Sequence, residues 1–199
     1  VQVCAEGPLV ALIDLLDGSP STSGSWSYGG NAHSQFLDPA PDLGGAYLYT
    51  VAGLTPCANA TAQVQVTLVP PPHAGVDGNL AACVGDDAIQ LAAGLGGAPH
   101  AGGSWSDDDG TGQMTGGVLD ASGLAPGTYH FTYTVAGSGP CLADQAMVTL
   151  TLANALDAGQ DGTVTICQNE LLNLFTTLGG TPQQGGVWSD VDGSGGLIG

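Results

Sequence analysis

The chain contains neither lysine nor arginine. Binding nucleic acid means neutralising phosphates with cations, so nucleic acid is excluded as a partner. Anionic membrane surfaces are disfavoured for the same reason. A phosphate loop of the Walker type needs a lysine and is also excluded. The 18 acidic residues then stand unopposed, for a formal net charge of -18. They are spread along the chain, which speaks for solubility rather than for a site. No apolar run reaches the ~18 residues that span a bilayer, so no membrane insertion is expected. Val1 to Leu16 lacks a basic start and already holds Cys4, so it does not read as a signal peptide. The chain stops at Gly199, halfway through a repeat, and reads as a segment of a longer secreted protein. No GxSxG elbow occurs, and the only glutamates, Glu6 and Glu170, lie far apart. The reading is therefore not an enzyme. Charged residues are only 9% of the chain, with 34 glycines and 12 prolines, but a regular apolar alternation argues against disorder.

That alternation is clearest in Gly127 to Leu152. Tyr129, Phe131, Tyr133 and Val135 alternate with His130, Thr132 and Thr134. After a break at Gly137 to Pro140, Ala146, Val148, Leu150 and Leu152 alternate with Met147, Thr149 and Thr151. A period of two puts the apolar side chains on one face of a strand, so the stretch predicts a β-hairpin. The same hairpin occurs earlier, as GAYLYTVAGLTPC (Gly45 to Cys57) followed by Val64, Val66 and Leu68.

Aligning the two hairpins aligns everything else. Cys4, Cys83 and Cys167 recur after 79 and 84 positions, and Trp26, Trp105 and Trp188 after 79 and 83. Cys57 and Cys141 lie 84 positions apart. LGGAPHAGGSWSD (Leu95 to Asp107) is matched by LGGTPQQGGVWSD (Leu178 to Asp190), and loosely by LLDGSPSTSGSWS (Leu15 to Ser27). Short strands with turns every ~8–12 residues and no helical period predict an all-β fold of tandem Ig-like β-sandwich repeats, each about 80 residues with one disulfide. The repeats are expected at residues 1–70, 71–153 and 154–199, the third incomplete. Pro70 to Pro72 make a stiff first joint, whereas Ala153 to Leu156 lack proline. Trp26, Trp105, Trp188, Tyr47 and Tyr129 are the expected core aromatics, with Tyr129 placed where a tyrosine corner would be.

The repeat register pairs Cys4 with Cys57 and Cys83 with Cys141, leaving Cys167 with a partner outside the segment. Zinc favours close pairs such as CxxC, and none occurs. Disulfides imply an oxidising location, hence an extracellular or cell-surface protein. The four histidines do not recur between repeats and read as surface residues.

The best ligand cluster is acidic. Asp107, Asp108 and Asp109 in SDDDGTG align with Asp190 and Asp192 in SDVDGSG. Carboxylates two apart with glycine beyond could wrap calcium at Asp107, Asp109, Asp190 and Asp192. The bidentate glutamate that closes an EF-hand loop is missing, and the competing reading is a polar turn. Asp77 and Asp161, at the joints, are a second candidate set with turn or cap duty as the alternative. No other cofactor is expected.

Taken together, the leading AGxDG, the cysteine, LGGxPxxGGxWSD, PGTYxFTYTVxGxxPC and the alternating VTLTL resemble the Ig-like repeats of large Bacteroidetes surface adhesins, the gliding-motility-associated type. The likeness is strongest over Ala74 to Leu152. It implies type IX secretion and display as an adhesive filament or appendage at the cell surface. The expected role is structural, with a homo-oligomer or filament as the assembly. The alternatives are a calcium-dependent module binding a cell-surface glycan or protein, and an accessory region of a large secreted enzyme.

Overall fold

The structure, a computed structural model, describes residues 1–197. Seven strands lie in the first segment: β1 (Gln2–Cys4), β2 (Val10–Ala11), β3 (Ser25–Tyr28), β4 (Asn31–His33), β5 (Phe36–Leu37), β6 (Gly45–Val51) and β7 (Ala60–Val69). Seven more follow: β8 (Gly78–Cys83), β9 (Ile89–Gln90), β10 (Ser104–Asp107), β11 (Met114–Thr115), β12 (Val118–Leu119), β13 (Gly127–Val135) and β14 (Asp144–Ala153). Among the described residues the fold is all-β, relieved only by three single-turn 3-10 helices.

Both segments are organised by the hairpin that the alternation marks. In the second, β13 pairs antiparallel with β14 from Gly127 opposite Leu152 to Val135 opposite Asp144. In the first, β6 and β7 do the same. The Trp-bearing strand adds to the first hairpin strand, placing Trp26 opposite Tyr49 and Trp105 opposite Tyr133. The cysteine-ended strand adds to the far side and runs parallel, with Cys4 opposite Val69 and Cys83 opposite Ala153. The resulting orders are β1-β7-β6-β3-β4 and β10-β13-β14-β8. Small second sheets, β2-β5 and β11-β12-β9, complete each segment.

Burial follows the period of two. Ala146, Val148, Leu150 and Leu152 are buried on β14, while Met147 between them is exposed. The first segment's core joins Val3, Trp26, Tyr47 and Val66 of the large sheet to Leu37 of the small one. The second joins Phe131, Leu150 and Leu152 to Ile89 and Leu119 in the same way. Fully burying such side chains is worth about 1.5–3 kcal/mol each, which sets the two layers together.

The 3-10 turns, Leu12–Leu15, Leu91–Gly94 and Leu174–Thr177, stand at matching places and are not legible as helices in the apolar pattern. Leu12 and Leu91 are fully buried, so the first two turns work as plugs for their cores, whereas Leu174 is exposed.

The third segment departs from expectation. Among the described residues after Ala153 no strand forms. A single bridge, Gln160 to Gly179, and the 3-10 turn match the bridge Val76 to Gly96 and the turn at Leu91. Trp188 is 43% exposed, which corrects its assignment to a core. Trp26 and Trp105 each lie opposite a hairpin tyrosine, Tyr49 and Tyr133, and no described residue takes that place beside Trp188. Trp26 is buried, Trp105 is half-buried, and Tyr47 and Tyr129 are buried and half-buried respectively.

Candidate functional site: the joint, the tyrosine clamps and the acidic loop

The most distinctive chemistry lies where the first segment meets the second. Cys4 ends β1 beside the C-terminal end of β7. The turn between β13 and β14 of the second segment comes up against that end: Gly139 lies beside Gln2 and Val69. Cys141 Sγ lies 3.3 Å from the Val69 carbonyl oxygen. Cys4 and Cys141 are bonded to each other, with Cα atoms 5.0 Å apart and 137 positions between them.

This overturns the pairings Cys4–Cys57 and Cys83–Cys141. Cys57, Cys83 and Cys167 are free and exposed. The reason is the parallel first strand. Cys57 precedes the N-terminal end of β7, and Cys4 lies at its C-terminal end. Ten residues of strand separate them, roughly 30 Å at ~3.3 Å per residue. A disulfide needs Cα atoms within about 7 Å. β14 separates Cys83 from Cys141 by the same ten residues. A disulfide inside one segment is therefore out of reach, and a bond across the joint is not.

The lead-in after the prolines is clamped to the second segment. Ala74 N donates to Asp144 Oδ2 at 2.7 Å, and Met147 N donates to Asp77 Oδ1 at 2.8 Å. The Ala74 hydrogen bond is the main cause that holds the Asp144 carboxyl below the usual carboxylate range; burial opposes it, and the Gln145 amide and His73 add to it. Asp77 thus serves as a strand clamp. The span free of such clamps shrinks to Pro70 to Pro72.

A second repeated device fastens the Trp strand. Tyr49 OH accepts from Gly24 N, and Tyr133 OH accepts from Gly103 N, both at 2.8 Å. The same hydroxyls donate to the carbonyls of Ser21 and His100. The rings stack on Trp26 and Trp105 with centroids 4.8 and 5.0 Å apart. Glycine is required just before each Trp strand, because a Cβ at Gly24 or Gly103 would strike the tyrosine ring. The corner hydrogen bond is present too: Tyr129 OH donates to Ala125 O at 2.9 Å, and Tyr47 OH to Leu43 O at 2.7 Å. Burial, then the nearby Asp42 and Tyr28, push the Tyr47 hydroxyl up to about 12.

The acidic loop is knit to its own backbone. Asp107 Oδ2 accepts from Thr111 Oγ1 at 2.7 Å and from Gly112 N at 2.9 Å. Asp190 Oδ2 accepts from Ser194 Oγ at 2.9 Å and from Gly195 N at 2.8 Å, the same device in the third segment. Burial opposes ionisation of Asp107, but the combined bonds from Thr111, Gly112 and Gly110 outweigh it and lower its pKa. Ser194 and then Gly195 lower that of Asp190. Asp108 takes hydrogen bonds from Ser106 and Thr132, and Asp109 from His130 N. Asp192 is exposed. The structure does not bring Asp107 and Asp109 onto one point; each serves a different partner. Among the described residues no three His, Cys, Asp or Glu side chains are grouped as a metal site. One atom stands apart: Asp107 Oδ1 is enclosed and has no hydrogen-bond partner.

Sequence reasoning missed the histidine pairs. His33 meets Asp42 at 3.3 Å, His73 meets Asp144 at 3.5 Å, and His130 meets Asp109 at 3.1 Å. Their spacings share no pattern. The one available signal was composition: without lysine or arginine, histidine is the only side chain able to become a cation beside these carboxylates. Among the described residues no helix is long and apolar enough to cross a membrane. No protein-family model matches the chain, and no curated protein matches it.

Proposed function

We propose that the chain is a structural segment of an extracellular adhesive filament or surface appendage, built from tandem Ig-like β-sandwich units of about 80 residues. The observation that carries this reading is the Cys4–Cys141 bond across the joint between two similarly built sandwiches. A bond placed there adds nothing to a catalytic centre. It restrains the angle between neighbours, which is what a load-bearing array needs. The three prolines beside it reinforce the same restraint. The absence of every trypsin site and the uniform negative charge suit exposure outside the cell. The sequence motifs resemble those of gliding-motility-associated adhesins, which fits export by the type IX system.

Small-angle scattering of the protein with and without reductant tests the reading. An elongated particle that bends or loosens on reduction supports it. An ensemble equally flexible in both states overturns it.

One observation favours a second reading, a cation-dependent binding loop. Asp107 Oδ1 is enclosed with no donor of its own, and an ion could supply the missing partner. Terbium luminescence sensitised by Trp105, two residues from Asp107 on the same face of β10, reads this directly. Saturable emission lost in Asp107→Asn supports the second reading, and none discards it.

A further inference from the structure

We infer that Cys83 and Cys57 each supply one half of a further unit-to-unit disulfide, repeating the Cys4–Cys141 bond along an array. Cys83 takes a hairpin-turn cysteine of another unit, and Cys57 takes a strand-end cysteine. The inference rests on the reading of the chain as an array of repeated units.

Cys83 occupies the place of Cys4. Each is the last residue of a parallel first strand, opposite Ala153 and Val69 respectively. After each, the next amide donates to the end of the last strand: Val84 N to Ala153 O at 2.8 Å, and Ala5 N to Val69 O at 2.9 Å. Each cysteine carbonyl then closes a short turn, accepting from Asp86 N at 3.2 Å and Gly7 N at 3.0 Å. Cys167 carries the same turn, with Glu170 N donating to its carbonyl at 3.2 Å.

Cys57 occupies the place of Cys141. Both follow a proline in the hairpin turn, and both amides donate three residues back, Cys57 N to Leu54 O at 2.7 Å and Cys141 N to Ser138 O at 3.1 Å. Gly53 and Gly137 stand at the base of these turns, where a Cβ would strike the cysteine carbonyl in either case. The two turns therefore share their backbone hydrogen bonds and place their cysteines at the same position of the hairpin.

Each unit thus carries one thiol position at each end, about 30 Å apart along its last strand, too far to meet each other. One such pair is already bonded across a joint, while Cys57 and Cys83 are exposed and unbonded. A cysteine of either kind is completed by the opposite kind on a neighbour. That neighbour is a further unit of the same polypeptide or a unit of a second copy.

Formation of each bond follows thiol–disulfide exchange. One cysteine thiolate attacks the disulfide of an oxidising thiol–disulfide oxidoreductase, giving a mixed disulfide and one released thiolate. The second cysteine attacks the mixed disulfide. The new bond forms, and the oxidoreductase leaves as a dithiol carrying the two electrons.

Disulfide mapping of the native protein tests this. The chain has no trypsin site, so the digest uses proteases cutting at aromatic and acidic residues, with free thiols alkylated first. Expected are a Cys83 peptide linked to a Pro-Cys turn peptide and a Cys57 peptide linked to a strand-end peptide. Non-reducing electrophoresis separates the sources: unchanged mobility means one chain, and a ladder collapsed by reductant means several copies. Cys83→Ser should abolish its own linkage completely and leave Cys4–Cys141 intact. Quantitative alkylation of Cys57 and Cys83, or mapping of Cys4–Cys57 and Cys83–Cys141, overturns the inference. If those thiols are free while Cys4–Cys141 and the elongated shape persist, the linkage fails and the array reading stands.

Discussion

Residues 74–153 and residues 158–197 begin alike and end differently. Both open with an antiparallel bridge, Val76 to Gly96 and Gln160 to Gly179, and both form the same 3-10 turn. Both hold an aspartate that closes its loop through residues four and five positions on. Only the first of them has a sheet, and its Trp105 is half-buried where Trp188 is 43% exposed. Loops and single turns therefore form from contacts within a few tens of residues. In both segments that have a Trp strand it is paired to a hairpin strand, and such non-local pairing must offset its loop-closure cost with the buried face.

The sharpest way to break this comparison is to remove the hairpin. Excising Gly127–Ala153 should reduce the second segment to the state of the third. It should lose its whole folding stability, about 5 kcal/mol or more, and Trp105 emission should shift to the red. Retained sheet signal and buried Trp105 would show that the Trp strand folds by itself.

A smaller effect is expected at the joint. Replacing Cys4 and Cys141 together by serine should lower stability by ~3 kcal/mol, the usual worth of a disulfide. Calorimetry should then resolve two transitions where the bonded protein shows closer coupling. An unchanged melting curve would mean that the bond restrains nothing.

The tyrosine clamp comes next. Tyr133→Phe leaves Gly103 N without its acceptor and should cost about 1–2 kcal/mol, and Tyr49→Phe the same in the first segment. Unequal losses, measured by urea unfolding, would show that the two Trp strands are held differently.

Alkali distinguishes the first two segments. Tyr47, pushed up to about 12, stands where the second segment has Phe131. Its folded pKa exceeds the unfolded value near 10, so the native state holds the proton longer. The stability it contributes is complete below pH ~10 and is lost as pH rises toward 12. Hydrogen exchange should therefore rise first in residues 1–69, and Tyr47→Phe should flatten the difference.

The smallest effect concerns the lead-in. Asp144 has a lowered pKa, so its contribution is present above the unfolded value near 3.9 and is lost as pH falls through the folded one. Exchange at Ala74 should quicken only under acid. Asp144→Asn keeps an acceptor oxygen and should cost less than about 1 kcal/mol. A large loss would mean that the charge itself holds the lead-in.

Much of the scaffold was legible before any coordinates. The alternation of Tyr129, Phe131 and Tyr133 against Ala146, Val148 and Leu150 marks both strands and the buried face, because side-chain direction in a strand is a local property. Tyr129 as a corner was legible for the same reason: its acceptor, Ala125, lies four residues away. The cysteine pairing was not legible. Register told which cysteines correspond, but correspondence is not contact. Nothing in the spacing of Cys4 reveals that β1 runs parallel to β7 and so carries the thiol to the far end. The histidine–aspartate pairs were hidden likewise, since His73 meets Asp144 across 71 positions of sequence.

What the sequence alone determined is the all-β character, the repeated strands and turns, the inward faces and the absence of cationic surface. These follow from composition and from periods of two, which act between near neighbours along the chain. What only the tertiary structure decided is which ends meet. The parallel first strand sends Cys4 away from Cys57 and toward Cys141, and the hairpin decides whether a tryptophan has a sheet to lie on. Both depend on partners brought together from distant positions, where sequence spacing no longer measures distance.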